Sequence, residues 1–340
     1  MRGDAAPPLV RATVLNWLGD LESEASDSTS ARTHYQASLA IGRMMQDKPT
    51  IATALRGLGL CALMQSMRDF GNVEALLEKS LALFQELRDT WNIGMGLHAL
   101  GLVAHRQRAY DQANVLLEES LALFRRLHDS RHITRPLVTL GMNARLQGEY
   151  ARAESYLEEC LALAAQQRDR PIRAEALNIL GNLARNQGDY ARAAACYDES
   201  LALCRDLGDL FQIVSVLQDQ GYLAQQQGDQ ARAEVLLRES LARCRDIDHL
   251  WMSVWCLAGL GRVAVAQGQA EHATRLLGAT AALFEIYDPA MDPIDRADFE
   301  RSIGAARAQL DAAIFDAAWE LGRAMTAEQA IAYALEEGRH

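Results

Sequence analysis

The chain has 340 residues and a formal net charge of −11. No apolar run approaches the ~18–20 residues that a membrane-spanning helix needs. An acidic chain without a basic patch is a poor sequence-independent nucleic-acid binder, because such binders carry a basic footprint. A compact globule of this length would contain two or more domains, yet the sequence shows no long Gly/Ser linker, no low-complexity run and no alternating strand pattern. The reading is all-α.

Met1–Leu9 lacks the charged start and apolar run of a signal peptide, and the six cysteines are scattered without Cys-x-x-Cys pairs. They read as reduced, buried small residues, which points to the cytoplasm. Cys204 and Cys244 share one repeat phase; plain packing is the preferred reading, with a regulatory disulfide between them as the alternative.

Organisation comes from a forty-residue period. Gly101, Gly141, Gly181, Gly221 and Gly261 lie on a strict grid. Leu97, Leu137, Leu177, Leu217 and Leu257 precede them by four residues. Ala104, Ala144, Ala184, Ala224 and Ala264 follow by three, and Ala113, Ala153, Ala193, Ala233 and Ala273 by twelve. A period in this range marks a stacked repeat. Taken in chain order, Gly19 and Ala31 open the first unit and Gly59 the second. The second unit has two extra residues before Leu81, with Phe70 and Val73 standing where Tyr110 and Ala113 stand in the next. Its turn, Ser66–Asn72, is the expected irregularity.

The third to seventh units carry the regular pattern. Leu137, Leu140, Gly141 and Ala144 fall at helical spacing, and Leu157, Cys160 and Leu161 do so on the following helix. Small residues on the facing sides let two helices approach closely. Gly148, Gly188 and Gly228 then supply a turn conformation that side-chain-bearing residues resist. Each unit is therefore a helical hairpin that completes its core only by stacking on its neighbours. The second helix carries Glu-Ser-Leu-Ala-Leu or a variant, placing Glu119, Glu159, Glu199 and Glu239 on the outer face. The seventh unit ends at Asp288-Pro289 and Asp292-Pro293. Beyond it, Ile294–Leu310, Ala312–Met325 and a third stretch opened by a Thr326…Gln329 capping box read as helices. Phe315 and Trp319 are the expected anchors of this end cap.

The pattern Leu-x2-Leu-Gly-x2-Ala…Gly-Asp-Tyr-x-x-Ala…Leu resembles the tetratricopeptide repeat in a long form of about 40 residues, as in the MalT-like bacterial regulators and the LGN/Pins adaptor family. The resemblance covers roughly residues 10–287. It implies a right-handed superhelical solenoid of about seven hairpins, with residues 288–340 as a helical cap. The wording at Arg275–Ala279 and Ala318–Thr326 is similar to the C-terminal end of bacterial NTPase-linked transcriptional regulators, whose NTPase and DNA-binding modules have no counterpart in this sequence.

The resemblance also places a ligand groove on the first helix of each hairpin, at positions six and three before the grid glycine and one, four and five after it. Those positions are Met95, His98, Leu102, His105 and Arg106 in the third unit, and Arg135, Val138, Met142, Arg145 and Leu146 in the fourth. They are Glu175, Asn178, Asn182, Arg185 and Asn186 in the fifth unit, and Ser215, Gln218, Tyr222, Gln225 and Gln226 in the sixth. Cationic and amide side chains dominate its middle, so it is expected to take a protein or extended peptide, possibly acidic. Asn amides would pair with peptide backbone, and Arg145 and Arg185 would clamp carboxylates. The bland alternative is a solvated concave surface. Thr13, Asn16 and Asp20 stand where chaperone-binding relatives carry lysines, which argues against a chaperone C-terminus as ligand.

Catalytic signatures are missing from the sequence. There is no phosphate-binding loop, no Gly-x-Ser-x-Gly elbow and no His-Glu-x2-His. His128 and His132, with Asp129 between them, read as a solvated pair rather than metal ligands, and His98 and His105 are too far apart for one ion. No cofactor is expected. The reading is a non-catalytic scaffold, the sensor or interaction arm of a bacterial signalling or transcriptional regulator. The alternatives are a receptor for a small molecule or signalling peptide and, less favoured, an enzyme.

Overall fold

The structure is a computed structural model that describes residues 6–24, 28–65, 70–246, 250–287 and 293–336. Among these residues it contains seventeen α-helices and no strand. Residues 66–69 of the expected irregular turn, and 288–292 of the expected break, lie outside the described residues. Two compact units divide the chain, residues 1–143 and 144–340.

The first unit contains α1 (Pro8–Glu24), α2 (Ser28–Met45), α3 (Lys48–Gln65), α4 (Gly71–Glu86), α5 (Thr90–Arg106) and α6 (Tyr110–Arg126). Most of α7 (Ser130–Leu146) belongs to it as well. The second unit continues with α8 (Tyr150–Gln167), α9 (Arg170–Asn186), α10 (Tyr190–Leu207), α11 (Leu210–Gln226), α12 (Gln230–Asp246), α13 (Leu250–Ala266) and α14 (Ala270–Tyr287). It ends with α15 (Pro293–Ala308), α16 (Ala312–Arg323) and α17 (Ala327–Glu336).

From α5 to α14 every first helix starts forty residues after the previous one, and every second helix does the same. The grid glycines lie at the contact between paired helices. A Cβ on Gly101 would meet Leu117, one on Gly221 would meet Leu237 and one on Gly261 would meet Leu277, each sixteen positions later and within 2.8 Å. In the second hairpin Gly59 meets Leu77 instead, two positions further on, which is where the two-residue insertion was expected. The phased leucines and alanines on both helices are buried.

A second regularity has a period of twenty. Gly148, Gly188, Gly208, Gly228 and Gly268 have positive φ, and so do Arg88, Arg108, His128 and Arg168 at the same phase. At these turns the next amide reaches back to a carbonyl five residues earlier, as in Asp89 N–H to Phe84 O at 3.0 Å, Asp189 to Ala184 at 2.9 Å and Asp209 to Cys204 at 3.0 Å. This is the Schellman closure of a helix C-terminus. The aspartate that closes one helix also caps the next: Asp89 accepts from the Asn92 amide, Asp169 from Ile172 and Asp209 from Gln212. One residue pair thus ends one helix and begins another.

The serine of the Glu-Ser-Leu-Ala-Leu phrase is a tie within its hairpin, a position taken by Cys160 in the fourth unit and Thr280 in the seventh. Ser120 Oγ donates to Gly94 O at 2.7 Å, Ser200 to Ala174 O at 2.7 Å and Ser240 to Val214 O at 2.9 Å. Each bond fastens the second helix to the backbone of the first.

At the C-terminal end Leu276, Leu277 and Leu283 are covered. Gly322 of α16 sits against the Arg275 carbonyl of α14, and Gly278 of α14 against the Trp319 carbonyl, so these two helices cross backbone to backbone. Ala327, Ala330, Ile331 and Ala334 of α17 join the core of α12–α14. Its capping box forms as expected: Thr326 N–H donates to Gln329 Oε1 at 2.9 Å and Gln329 N–H to Thr326 Oγ1 at 3.3 Å. At the other end of the chain, Val10, Val14, Trp17, Leu18 and Leu21 form an exposed apolar stripe along α1.

Candidate functional site

Neighbouring first helices touch one another, α9 with α11 and α11 with α13. The residues expected to face a ligand lie on this layer, and the structure separates them into three kinds.

In the first unit Arg135 is exposed while His98, one repeat earlier, is buried. Burial first, and then the charges of Arg135 and His132, push the His98 imidazole down to about 3, so it is neutral near pH 7. His105 donates from Nδ1 to Asn143 Oδ1 at 2.5 Å, and Asn143 donates onward to Asn114 at 2.8 Å. Arg106 is half-buried, which lowers its pKa. His128 and His132 do not act as a pair. His128 holds the positive-φ turn position, whereas His132 donates to Asp129 at 2.7 Å and packs edge-on to Trp91 with ring centroids 5.0 Å apart. Among the described residues no group of three or more His, Cys, Asp or Glu is placed to hold a metal ion.

In the second unit Asn178 and Asn182 were expected to offer amides to a ligand. Both instead donate to one oxygen of Asp219 on α11, at 3.0 and 2.9 Å, and Tyr197 Oη donates to Asn182 Oδ1 at 2.9 Å. Burial raises the Asp219 pKa, opposed by the charge of Arg185 and by the two amides. Tyr222, expected on the surface, is buried and donates to Trp255 O at 2.7 Å. Gln225 donates to Gly259 O at 2.6 Å. Arg145, Asn186 and Gln218 are half-buried, and the Arg145 charge acts on Tyr197.

Arg185 is the principal correction. It was expected to stand open beside Arg145 as a clamp for a ligand's carboxylates. The clamp geometry is present, but the carboxylate belongs to the chain. Arg185 Nη1 and Nη2 donate to Asp295 Oδ1 and Oδ2 at 2.9 and 3.0 Å, a two-pronged pair spanning 110 residues. The Arg185 side chain is 1 % exposed. Burial opposes its charge, and the Asp295 carboxylate more than offsets this, so its pKa lies above the ordinary value. A second pair repeats the arrangement on α13, where Arg262 Nη2 donates to Asp298 at 2.8 Å. Both guanidinium groups lie over the Tyr222 ring, at 5.7 and 5.2 Å from its centroid. Beside them, a cavity of about 380 Å³ is lined by Gln225, Gln226, Arg262, Asp298, Arg301 and Ser302. Val265, Ala266 and Ala305 add apolar surface to the lining.

Asp219, Arg262, Asp295 and Asp298 join the site without having been among the residues expected there. Arg262 follows the seventh grid glycine by one and was within reach of the offsets used for the other units. Asp295 and Asp298 stand outside the repeat and carried no phase signal.

All six cysteines are free and buried. Cys204 and Cys244 form no disulfide, and Cys256 Sγ donates to Ser240 Oγ at 3.2 Å. Among the described residues no helix is long and apolar enough to cross a membrane.

A stack of two-helix units with a small residue at each pair contact defines a helical-repeat protein. Residues 92–166 and 172–246 match the tetratricopeptide repeat family, and these stretches of the chain carry tetratricopeptide repeats. None of the curated proteins matches it in sequence at a significant level. Several solved structures share the fold. A signal-transduction ATPase with numerous domains and a tetratricopeptide repeat sensor, from Pyrococcus horikoshii, aligns over 92% of this chain and 46% of its own, with a TM-score of 0.62 and 13% identity. The apo form of the quorum sensor NprR from B. thuringiensis aligns over 89% of each chain, with a TM-score of 0.57 and 11% identity. A Rap protein complexed with competence and sporulation factor aligns over 74% of each, with a TM-score of 0.56 and 15% identity.

Proposed function

We propose that this protein is a non-catalytic, cytoplasmic scaffold that recognises an acidic protein segment on the first-helix face of residues 144–340, as the sensor or interaction arm of a bacterial regulator. One observation carries the reading: the face already grips a peptide segment through its arginines. Arg185 and Arg262 stand four and one residues after their grid glycines, at positions the repeat offers to ligands, and each holds a carboxylate of α15. Ala258 and Val265, three before and four after the last grid glycine, pack in the same cluster as Phe299 of α15. A planar guanidinium fork suits a carboxylate better than any other common peptide group.

The test compares acidic, neutral and basic peptides for binding to the purified chain at low salt, with Arg145→Glu and Gln218→Glu variants of the half-buried face. Acidic peptides should bind best, each substitution should weaken them, and added salt should act in the same direction. Equal binding of acidic and basic peptides, or indifference to both substitutions, would refute the reading. The cavity beside Arg262 and Ser302, with Val265, Ala266 and Ala305 in its walls, supports a second reading, a receptor for a small signalling peptide. In that case a short peptide would bind as tightly as a long one.

A further inference from the structure

We propose that α15 is a built-in occupant of the recognition face, and that the partner is a helical segment presenting two carboxylates three residues apart followed by an aromatic residue, which binds by displacing α15. This rests on the reading that the face of residues 144–340 is where a partner binds.

Three side chains of α15, close in sequence, make its ionic and aromatic contacts: Asp295, Asp298 and Phe299; Ile303 and Ala306 add apolar packing in the same cluster. The first two occupy Arg185 and Arg262. Phe299 enters the cluster of Ala258, Leu277 and Phe315 and meets Phe284 edge-on, with centroids 5.2 Å apart. Spacing of i and i+3 puts both carboxylates on one helix face, matched by two arginines that share the Tyr222 ring as a floor.

A helix that served only to cover an apolar end would not need this chemistry. α17 covers its neighbours with alanines and an isoleucine, and α16 crosses α14 through glycines. A buried ion pair gives little net stability over apolar residues of the same volume, because both charges are stripped of water. What it supplies is selectivity for one partner group. The occupant also leaves the face unsaturated. Among the described residues, Asn178 Oδ1, Arg185 Nε, Gln225 Oε1 and Gln226 Oε1 are buried without a protein hydrogen-bond partner, which a ligand reaching them can supply. A tethered α15 acts at a millimolar effective concentration, which holds off weak acidic ligands and yields to a strong one.

The experiment uses the full chain and a labelled peptide of residues 293–308, with a control peptide in which both aspartates are asparagine. Binding is read by fluorescence anisotropy on wild type, on D295N/D298N and on D298N alone, the last retaining the buried Arg185 pair should the double variant fold poorly. Hydrogen exchange of α15 in the wild-type chain is followed with and without peptide. The expected result is peptide binding at least about ten-fold tighter to a variant than to wild type, no binding of the control peptide, and faster exchange of α15 when peptide saturates the wild-type chain. Equal affinity for wild type and both variants, with α15 exchange unchanged, would overturn displacement and leave the face as a binding surface. Failure of any folded form to bind either this peptide or other acidic peptides would overturn both.

Discussion

Gly181 packs so closely on Tyr197 that a Cβ built on it would lie 2.5 Å from the ring. The ring is fully buried and its hydroxyl donates to Asn182, so it has no room to retreat. Gly181→Val should therefore cost on the order of 1–3 kcal/mol by overpacking, seen as a lower urea midpoint with an unchanged slope. Gly148 provides the contrast. A Cβ there meets nothing within 4 Å, and only the φ of +79° resists a side chain. Gly148→Ala should cost about 1 kcal/mol, and an equal or larger loss at Gly148 would contradict the packing argument.

Arg168 holds a left-handed conformation, φ 57°, at the position where Gly208 serves the next repeat. Arg168→Gly should stabilise the chain by roughly 0.5–1 kcal/mol, since relief of backbone strain exceeds the entropy glycine adds to the unfolded chain. Gly208→Arg should act in the opposite direction. Thermal melting of both variants checks the pair, and shifts of the same sign would refute it.

The neutral His98 makes stability depend on pH. Its folded pKa, about 3, lies below the ordinary value of 6.5. The contribution is fully present above about pH 6.5 and is lost as pH falls toward 3, because the unfolded state takes up a proton that the folded state refuses. The slope is about 1.4 kcal/mol per pH unit for one proton. His98→Gln should flatten this part of the curve. Parallel losses in wild type and variant between pH 6.5 and 4 would show that His98 is not the responsible group.

Breaking the Arg185–Asp295 pair from one side should cost more than replacing it. Arg185→Met alone leaves a carboxylate buried without its fork and should destabilise by about 3–5 kcal/mol. Arg185→Met with Asp295→Leu should recover most of the loss. A double variant no more stable than the single one would mean that the ion pair itself, rather than the unpaired charge, sets the cost.

Helices α15–α17 bury Leu276, Leu277 and Leu283 of the last hairpin. Removing them should expose that face and give aggregation or a lower melting temperature by light scattering and calorimetry. A truncated chain that stays monomeric and equally stable would show that the hairpin stack closes itself.

The sequence by itself determined the repeat. A hairpin's contacts are local, so Gly101 with Leu117, or Ala184 with the turn at Gly188, recur wherever the forty-residue phase recurs, and even the insertion before Leu81 could be placed. The positive φ at Arg88, Arg108, His128 and Arg168 was hidden because arginine and histidine carry no turn signal. Their conformation follows from helix geometry on both sides rather than from residue type. The offsets pointed to the first-helix layer on which Arg185 lies, but not to the state of that side chain. Whether Arg185 stands open or closed depends on Asp295, which lies 110 residues away in a helix without the repeat's phase. Periodicity reports what each unit shares with the next. An ion pair between a repeated position and an unrepeated helix leaves no periodic trace, so only the tertiary structure decided that the arginines of this face already hold a carboxylate.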